Sequence, residues 1–143
     1  MKLNYWVNNK VEIVNLTGKG DKKTEKELQR VALKTIAFLE KKNISVEVFL
    51  TESRLMKFLN KKFRGKNKAA DVLSFEEPKG FIFPKSKNKN IGEIYINMGV
   101  SSFKLQASSL LVHGLLHLFG YNHKKKNDII KMEKAENWII GKL

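Results

Sequence analysis

The chain has 143 residues, a length that fits one globular domain over residues 1–143. It contains no cysteine, which excludes disulfides, thiolate ligands and cysteine nucleophiles together. A tight transition-metal site must then use histidine, with carboxylate or water. No apolar run is long enough to span a bilayer, and Met1 to Val7 does not read as a secretion signal, so a cytoplasmic protein with no membrane partner is the expectation.

The formal net charge is +14, from 28 Lys and Arg against 14 Asp and Glu. Two origins fit it. One is an electrostatic footprint for nucleic acid. The other is codon composition, since only three of the 28 cations are arginine (Arg30, Arg54, Arg64) and Lys, Asn and Ile are abundant, as an AT-rich genome would give. Clustering of the charge decides between them.

In chain order, Leu3, Tyr5 and Val7 alternate with polar residues, as do Val11 and Ile13, and predict short strands. Gly18 and Gly20 mark a turn. Leu28, Val31, Ala32, Ile36 and Leu39 recur at helical spacing and predict an amphipathic helix from about Thr24 to Lys42. Ile44, Val46, Val48 and Leu50 alternate strictly and predict a strand with one buried face. Thr51 or Ser53 is the expected cap of the next helix, whose apolar face is Leu55, Met56, Leu59 and Phe63 and whose other side carries Arg54, Lys57 and Lys61. Gly65 to Ala70 is a basic loop and Asp71 to Phe75 a strand. Lys79 to Asn90 reads as a flexible loop around Phe81, Ile82 and Phe83. Gly92 to Met98 is another strand. Ser101 or Ser102 is the expected cap of a helix that runs to about Phe119 and ends at Gly120. A last helix begins near Asn127 or Asp128 and buries Ile129, Met132, Ala135 and Ile139.

Strands alternating with helices predict an α/β or α+β fold, a mixed and mostly parallel sheet packed with helices. The N-terminal strand–turn–strand argues against a wholly parallel sheet.

The three histidines all lie between Val112 and Lys124. His113 and His117 are four residues apart on a predicted helix, so they share one face, one turn apart. Gly120 breaks that helix, and His123 can swing back to supply a third nitrogen. The expectation is one divalent metal ion, most naturally zinc, at the end of this helix, with Zn–N bonds of about 2.0–2.1 Å. Three protein ligands leave a position for water, as in catalytic sites. An ion there would lower the pKa of water toward about 7 and polarise a bound oxygen. The same intervals occur in metzincin peptidases, but Gly114 stands where those enzymes carry their general-base glutamate, so their mechanism loses its base.

The run His113-Gly114-Leu115-Leu116-His117-Leu118-Phe119-Gly120-Tyr121-Asn122-His123 resembles the His-Gly-x-Leu-His-Leu-x-Gly-Tyr-Asp-His signature of the YbeY family, with Asn122 in place of the usual aspartate. The run from Leu59 through Asn60, Arg64 and Asp71-Val72-Leu73-Ser74-Phe75 resembles the family's Leu-Asn-x-x-x-Arg…Thr-Asp-Val-Leu-Ser-Phe, with Ala70 in place of threonine. Ile91-Gly92-Glu93-Ile94 resembles a Leu-Gly-Asp-Ile element, and Met132 with Glu136 the closing Met-x-x-x-Glu. The resemblance implies an α/β sandwich, a zinc-type site, and single-strand-specific, metal-dependent endoribonuclease activity on small-subunit rRNA precursors. It also implies a part in ribosome quality control and contact with ribosomal components. Asn122 accepts a hydrogen bond but does not titrate, so no proton-accepting carboxylate is expected there.

The resemblance assigns catalysis to Arg64 beside the metal ligands His113, His117 and His123. Independently, the planar arginine fork pairs with two phosphate oxygens and stays charged. Arg54, Lys57, Lys61, Lys66 and Lys68, with Lys124 to Lys126, are the expected RNA-binding cations. Asp71 and Ser74, where a strand leaves the basic loop, are placed either to orient a ligand or Arg64, or simply to shape a turn. The alternatives to a nuclease are a non-catalytic ribosome-assembly factor with a structural zinc site and a metzincin-like metallopeptidase. The attacking nucleophile, water or a ribose 2′-hydroxyl, stays open.

Overall fold

A computed structural model of the chain describes residues 8–78, 88–100 and 103–143. The strand expected at Leu3 to Val7, the Phe81-Ile82-Phe83 segment and the capping serines Ser101 and Ser102 lie outside them. Among the described residues the order is β1 (Lys10–Asn15), α1 (Lys22–Phe38), β2 (Ile44–Thr51), α2 (Ser53–Arg64), β3 (Val72–Glu76), β4 (Lys89–Asn97), α3 (Phe103–Leu118) and α4 (Lys126–Lys142). The strands form one sheet in the order β1-β2-β4-β3. β1 and β4 run parallel to β2, and β3 runs antiparallel to β4. The sheet is therefore mixed and mostly parallel, as expected, although the antiparallel member is β3.

Alternation assigns the sheet its faces. Val46, Val48, Leu50, Ile94 and Ile96 are almost completely buried on one side. That side carries α1 and α3, which pack on each other, and α4 packs on α3. Phe75 and Tyr95 alternate with Ser74 and Ile94 and so occupy the other side, where Phe63 of α2 meets Phe75. α3 buries Leu111, Val112, Leu115 and Leu116 because it is surrounded by α1, the sheet and α4. Each of those leucines contributes roughly 1.5–3 kcal/mol of burial free energy. The less buried stripe of α3 is Gln106, Ser109, His113 and His117. The core thus holds the helix rigid and turns the two histidines outward.

Several expected boundaries shift. α1 begins at Lys22 because Asp21 caps it, accepting from the Thr24 amide at 2.8 Å. It stops at Phe38 rather than Lys42, in a turn where the Glu40 amide donates to Ala37 O and the Lys41 amide to Ile36 O. Glu40 takes a left-handed φ of 57° there without being glycine. Neither Thr51 nor Ser53 caps α2. Glu52 occupies the N-cap with no side-chain bond, Thr51 is buried at the end of β2, and Ser53 pairs with Asn97. On α2 Met56 is buried but Phe63 is exposed, and the buried fourth position is Asn60. The Asn60 side chain closes the following loop by donating to Lys68 O at 2.9 Å, while its backbone carbonyl accepts from the Lys66 amide at 3.2 Å. β4 starts at Lys89, inside the expected loop, because backbone pairing with Ile44 and Ser45 holds its polar first residues. α4 starts at Lys126, and Ile129 is exposed rather than buried.

Gly92 is required by the close approach of β3. Its φ is +138°, and a Cβ there would lie 2.1 Å from the backbone oxygen of Phe75. Gly92→Ala is expected to cost at least about 2 kcal/mol, from the strained φ and the forced separation of β3 from β4. A urea melt of this variant that overlays the parent curve would show that the strand pair absorbs the methyl group.

Candidate metal centre

The end of α3 is fixed by a Schellman turn. The Gly120 amide donates to His117 O at 3.0 Å and the Tyr121 amide to Leu116 O at 3.0 Å, with Gly120 at φ +100°. The chain then doubles back through Tyr121 and Asn122 to His123. Asn122 Oδ1 accepts from the Lys124 amide at 3.0 Å, a local bond that an amide makes as well as a carboxylate would.

One nitrogen from each of His113, His117 and His123 lies within 4.8 Å of the others, and the ring centroids are 4.6–4.9 Å apart. The three residues could hold a metal ion, as the spacing predicted. The donor set itself argues for a cation. His117 Nδ1 faces the carbonyl of Tyr121 at 3.0 Å, and a carbonyl only accepts, so Nδ1 carries the proton. His113 Nδ1 faces Glu136 Oε1 at 2.6 Å. Both Nε2 atoms are thereby left as lone pairs in the neutral rings, yet they meet at 3.0 Å. Two lone pairs at that distance repel, so the pair needs either a proton, carried by His113 as the imidazolium that Glu136 would pair, or a metal ion between the rings. Burial, and then the nearby His113 and His123, hold the His117 pKa below its ordinary value, against the pull of Tyr121 O and Glu136. His117 is thus biased toward the neutral ring that ligates metal.

Glu136 was noted in the sequence only as part of a closing pattern. Its role follows from α4: Met132 is buried and Glu136 lies one turn further along the same helix, so both reach α3. It orients the His113 imidazole, and where such a ring ligates metal the loss of its partner typically costs about 10–100-fold in affinity. Glu136→Gln is expected to weaken zinc binding by about that factor. An unchanged zinc titration would mean that packing alone orients His113.

Gly114 faces the sheet. A Cβ there would sit 3.0 Å from Ile94 and 3.1 Å from Ser74 Oγ. The position where metzincin peptidases carry their base is therefore pressed into the core.

The histidines open into a cleft of about 1120 Å³. Arg64, Lys66, Lys68 and Lys124 line it against the carboxylate of Glu76, together with Phe63, Ser74 and Phe75. Arg64, at the last turn of α2, donates to Ser74 O at 2.7 Å and lies 5.3 Å over the Phe75 ring. Ser74 Oγ donates to Gly114 O at 3.1 Å. Arg64 is thus tied through Ser74 to the residue next to His113. Ser74 orients Arg64 by its backbone and α3 by its side chain, while Asp71 is exposed and contributes its carbonyl to the Asn97 amide. The cleft gathers Arg64, Lys66, Lys68 and the three histidines. Arg54, Lys57 and Lys61 are exposed on α2 and are not among its lining residues.

The fold and centre define a layered α/β protein with a three-histidine cluster that could hold a metal ion in a basic cleft. The family model described as Endoribonuclease YbeY matches residues 8–143, and the chain belongs to this family. Relatives named Endoribonuclease YbeY include one from Pelagibacter ubique, 39% identical over 68% of this chain and 69% of its own length. Another, from Bartonella henselae, is 33% identical over 92% of this chain and 90% of its own. A solution structure of a Thermotoga maritima protein is similar at 27% identity and a TM-score of 0.53, covering 92% of this chain and 90% of that one. Among the described residues no helix is long and apolar enough to cross a membrane.

Proposed function

We propose that the chain is a metal-dependent, single-strand-specific endoribonuclease. Its place would be small-subunit rRNA maturation and ribosome quality control in the cytoplasm, in contact with ribosomal components. Residues 1–143 would form one catalytic domain. The observation that carries this reading is that a three-histidine cluster and Arg64 share one cleft whose charged lining is Arg64, Lys66, Lys68 and Lys124 against the single carboxylate of Glu76.

His113, His117 and His123 would hold the ion, and zinc suits three imidazoles in the absence of any thiolate. When bound, such an ion acts as a Lewis acid toward phosphoryl oxygen and lowers the pKa of water. Glu136 and the Tyr121 carbonyl keep the first two imidazoles in the ligating tautomer. Arg64 places a rigid fork where it can pair with the scissile phosphate, and its tether to Ser74 fixes its approach. Lys66, Lys68 and Lys124 would hold flanking phosphates, and Arg54, Lys57 and Lys61 would extend the track beyond the cleft along α2. The peptidase alternative lacks its base at Gly114, a position that packs tightly against Ile94 and Ser74.

The test is incubation of zinc-loaded and chelator-stripped protein with single-stranded RNA, with the same sequence as duplex, and with casein. Cleavage of the single strand alone, dependent on metal, is expected. Binding without cleavage would favour an assembly factor. Affinity should also fall steeply with salt, because each neutralised phosphate releases counterion. A salt-insensitive affinity would assign the +14 charge to codon composition.

A further inference from the structure

α2 is a cationic helix, yet two of its phenylalanines stand in solvent. Phe58 is 58% exposed and Phe63 57%. Phe63 occupies a helical position that the apolar stripe would bury, but Asn60 takes the buried place and the ring turns to the rim of the cleft. It is not a loose ring. It meets Phe75 edge-to-face at 5.3 Å, Phe75 meets Tyr95 at 5.7 Å, and Tyr95 stacks on Phe49 at 4.8 Å. This row runs across the sheet and props Phe63 from beneath. Phe75 is fully engaged, with Arg64 over it and rings on either side. Phe63 is the exposed member of the row, with the flexible Lys62 side chain over its ring. The Lys62 ammonium lies 5.5 Å from its centroid and 5.8 Å from that of Phe58.

We propose that Phe63 is a base-stacking platform for one unpaired RNA nucleotide beside the metal centre, with Lys62 taking the phosphate of that nucleotide. The inference rests on the endoribonuclease reading and adds a base subsite to it. Three observations converge on this occupant. The ring is rigidly backed and exposed, and the flexible Lys62 side chain over it can move aside to a phosphate, as a stacking surface requires. Cations flank it along the chain, Lys62 on one side and Arg64 on the other, so a polyanion is favoured over an apolar partner. The ring lines the same cleft as Arg64 and the histidines, so a nucleotide seated on it lies next to the phosphate that Arg64 would hold. A base paired in a duplex cannot offer its face to a side chain without unstacking. Phe63 would therefore contribute to selection of single strands, tolerant of base identity because every base has a π-face.

The test uses a single-stranded oligoribonucleotide carrying one 2-aminopurine, whose fluorescence is quenched when it stacks on an aromatic ring. The parent, Phe63→Leu, Phe63→Trp and Phe58→Leu proteins are titrated and assayed for cleavage. Binding to the parent should quench the probe. Phe63→Leu should lose the quench and weaken binding by about 5- to 160-fold, the range for loss of one base–aromatic stack. Phe63→Trp should retain both. Affinity for a duplex of the same sequence should be the same in the parent and in Phe63→Leu. Parent protein that binds and cleaves RNA but leaves the probe unquenched overturns the platform and spares the nuclease. So does a Phe63→Leu protein of parental affinity. Parent protein that neither binds nor cleaves RNA overturns the nuclease reading itself. If Phe63→Leu fails to fold, the parental quench and its retention in Phe63→Trp still decide the matter. A loss in Phe58→Leu equal to that in Phe63→Leu would place the base on Phe58 and overturn the assignment to Phe63.

Discussion

His117→Ala is expected to remove metal retention and RNA cleavage together while leaving the helix in place. His117 is held from behind by the Tyr121 carbonyl at 3.0 Å within the turn that ends α3. Deleting it leaves His113 and the exposed His123, and two imidazoles cannot surround a tetrahedral ion. The loss of affinity should therefore exceed the roughly 10–100-fold expected when an orienting partner such as Glu136 is removed. The fold should persist, because alanine suits a helix and His117 lies on the less buried stripe of α3. Acid should mimic the mutation in part. Metal binding needs neutral imidazoles, so retention should fall in acid, and for His117 at a pH below the ordinary imidazole range because its pKa is depressed. The sign for folding follows from the depressed pKa of His117. The unfolded chain takes up the proton first, so the metal-free protein loses stability below about pH 6.5 and gains nothing from this group above it. Zinc content by elemental analysis, with a thermal melt of the same sample, measures both effects. His117→Ala protein that keeps one equivalent of zinc after dialysis would place the metal elsewhere.

The strands of the central sheet and the histidine centre were legible because each is written locally. Ile44 to Leu50 alternates strictly, and all three metal-ligating candidates fall within eleven residues. Two of the misread boundaries, the end of α1 and the start of α2, have a common cause: the chain uses backbone geometry where the usual side-chain signal is absent. α1 ends on Glu40 in a left-handed conformation that glycine normally marks, so the periodic pattern overran to Lys42. α2 begins on Glu52 without a side-chain bond, so the nearby threonine and serine looked like caps. Long-range features were harder to read. Glu136 meets His113 across 23 residues, and only its four-residue spacing from Met132 hinted at a shared face. Phe63 fits a helical apolar stripe, and nothing local says that Asn60 takes the buried place in order to close the loop from Gly65 to Lys68. The polar residue is inside because it satisfies backbone groups there, and the apolar one outside stands beside the cleft.

Arg64→Ala is expected to lower the rate of RNA cleavage far more than RNA affinity. An interaction made mainly in the transition state behaves in this way, and loss of one such donor typically costs about 10²–10³ in rate. Lys66, Lys68 and Lys124 remain in the cleft to hold the RNA, so binding should fall only modestly. The structural cost should be small. β3 is the outer strand of the sheet, and the Ser74 oxygen that Arg64 engages belongs to it. Arg64 is itself exposed, so water can replace its hydrogen bond, at a net cost of about 1 kcal/mol or less. Arg64→Lys should restore charge without restoring the rate, since an ammonium can bond the Ser74 carbonyl or a phosphate oxygen but cannot present a planar fork to two oxygens. Single-turnover cleavage, a binding titration and a melting curve on the three proteins separate the possibilities. A rate that falls only in step with affinity would make Arg64 a binding residue. A rate that follows the melting temperature would make it a brace for the edge strand. A rate fully recovered by lysine would show that charge alone suffices and that the two-pronged contact has no part in the chemistry.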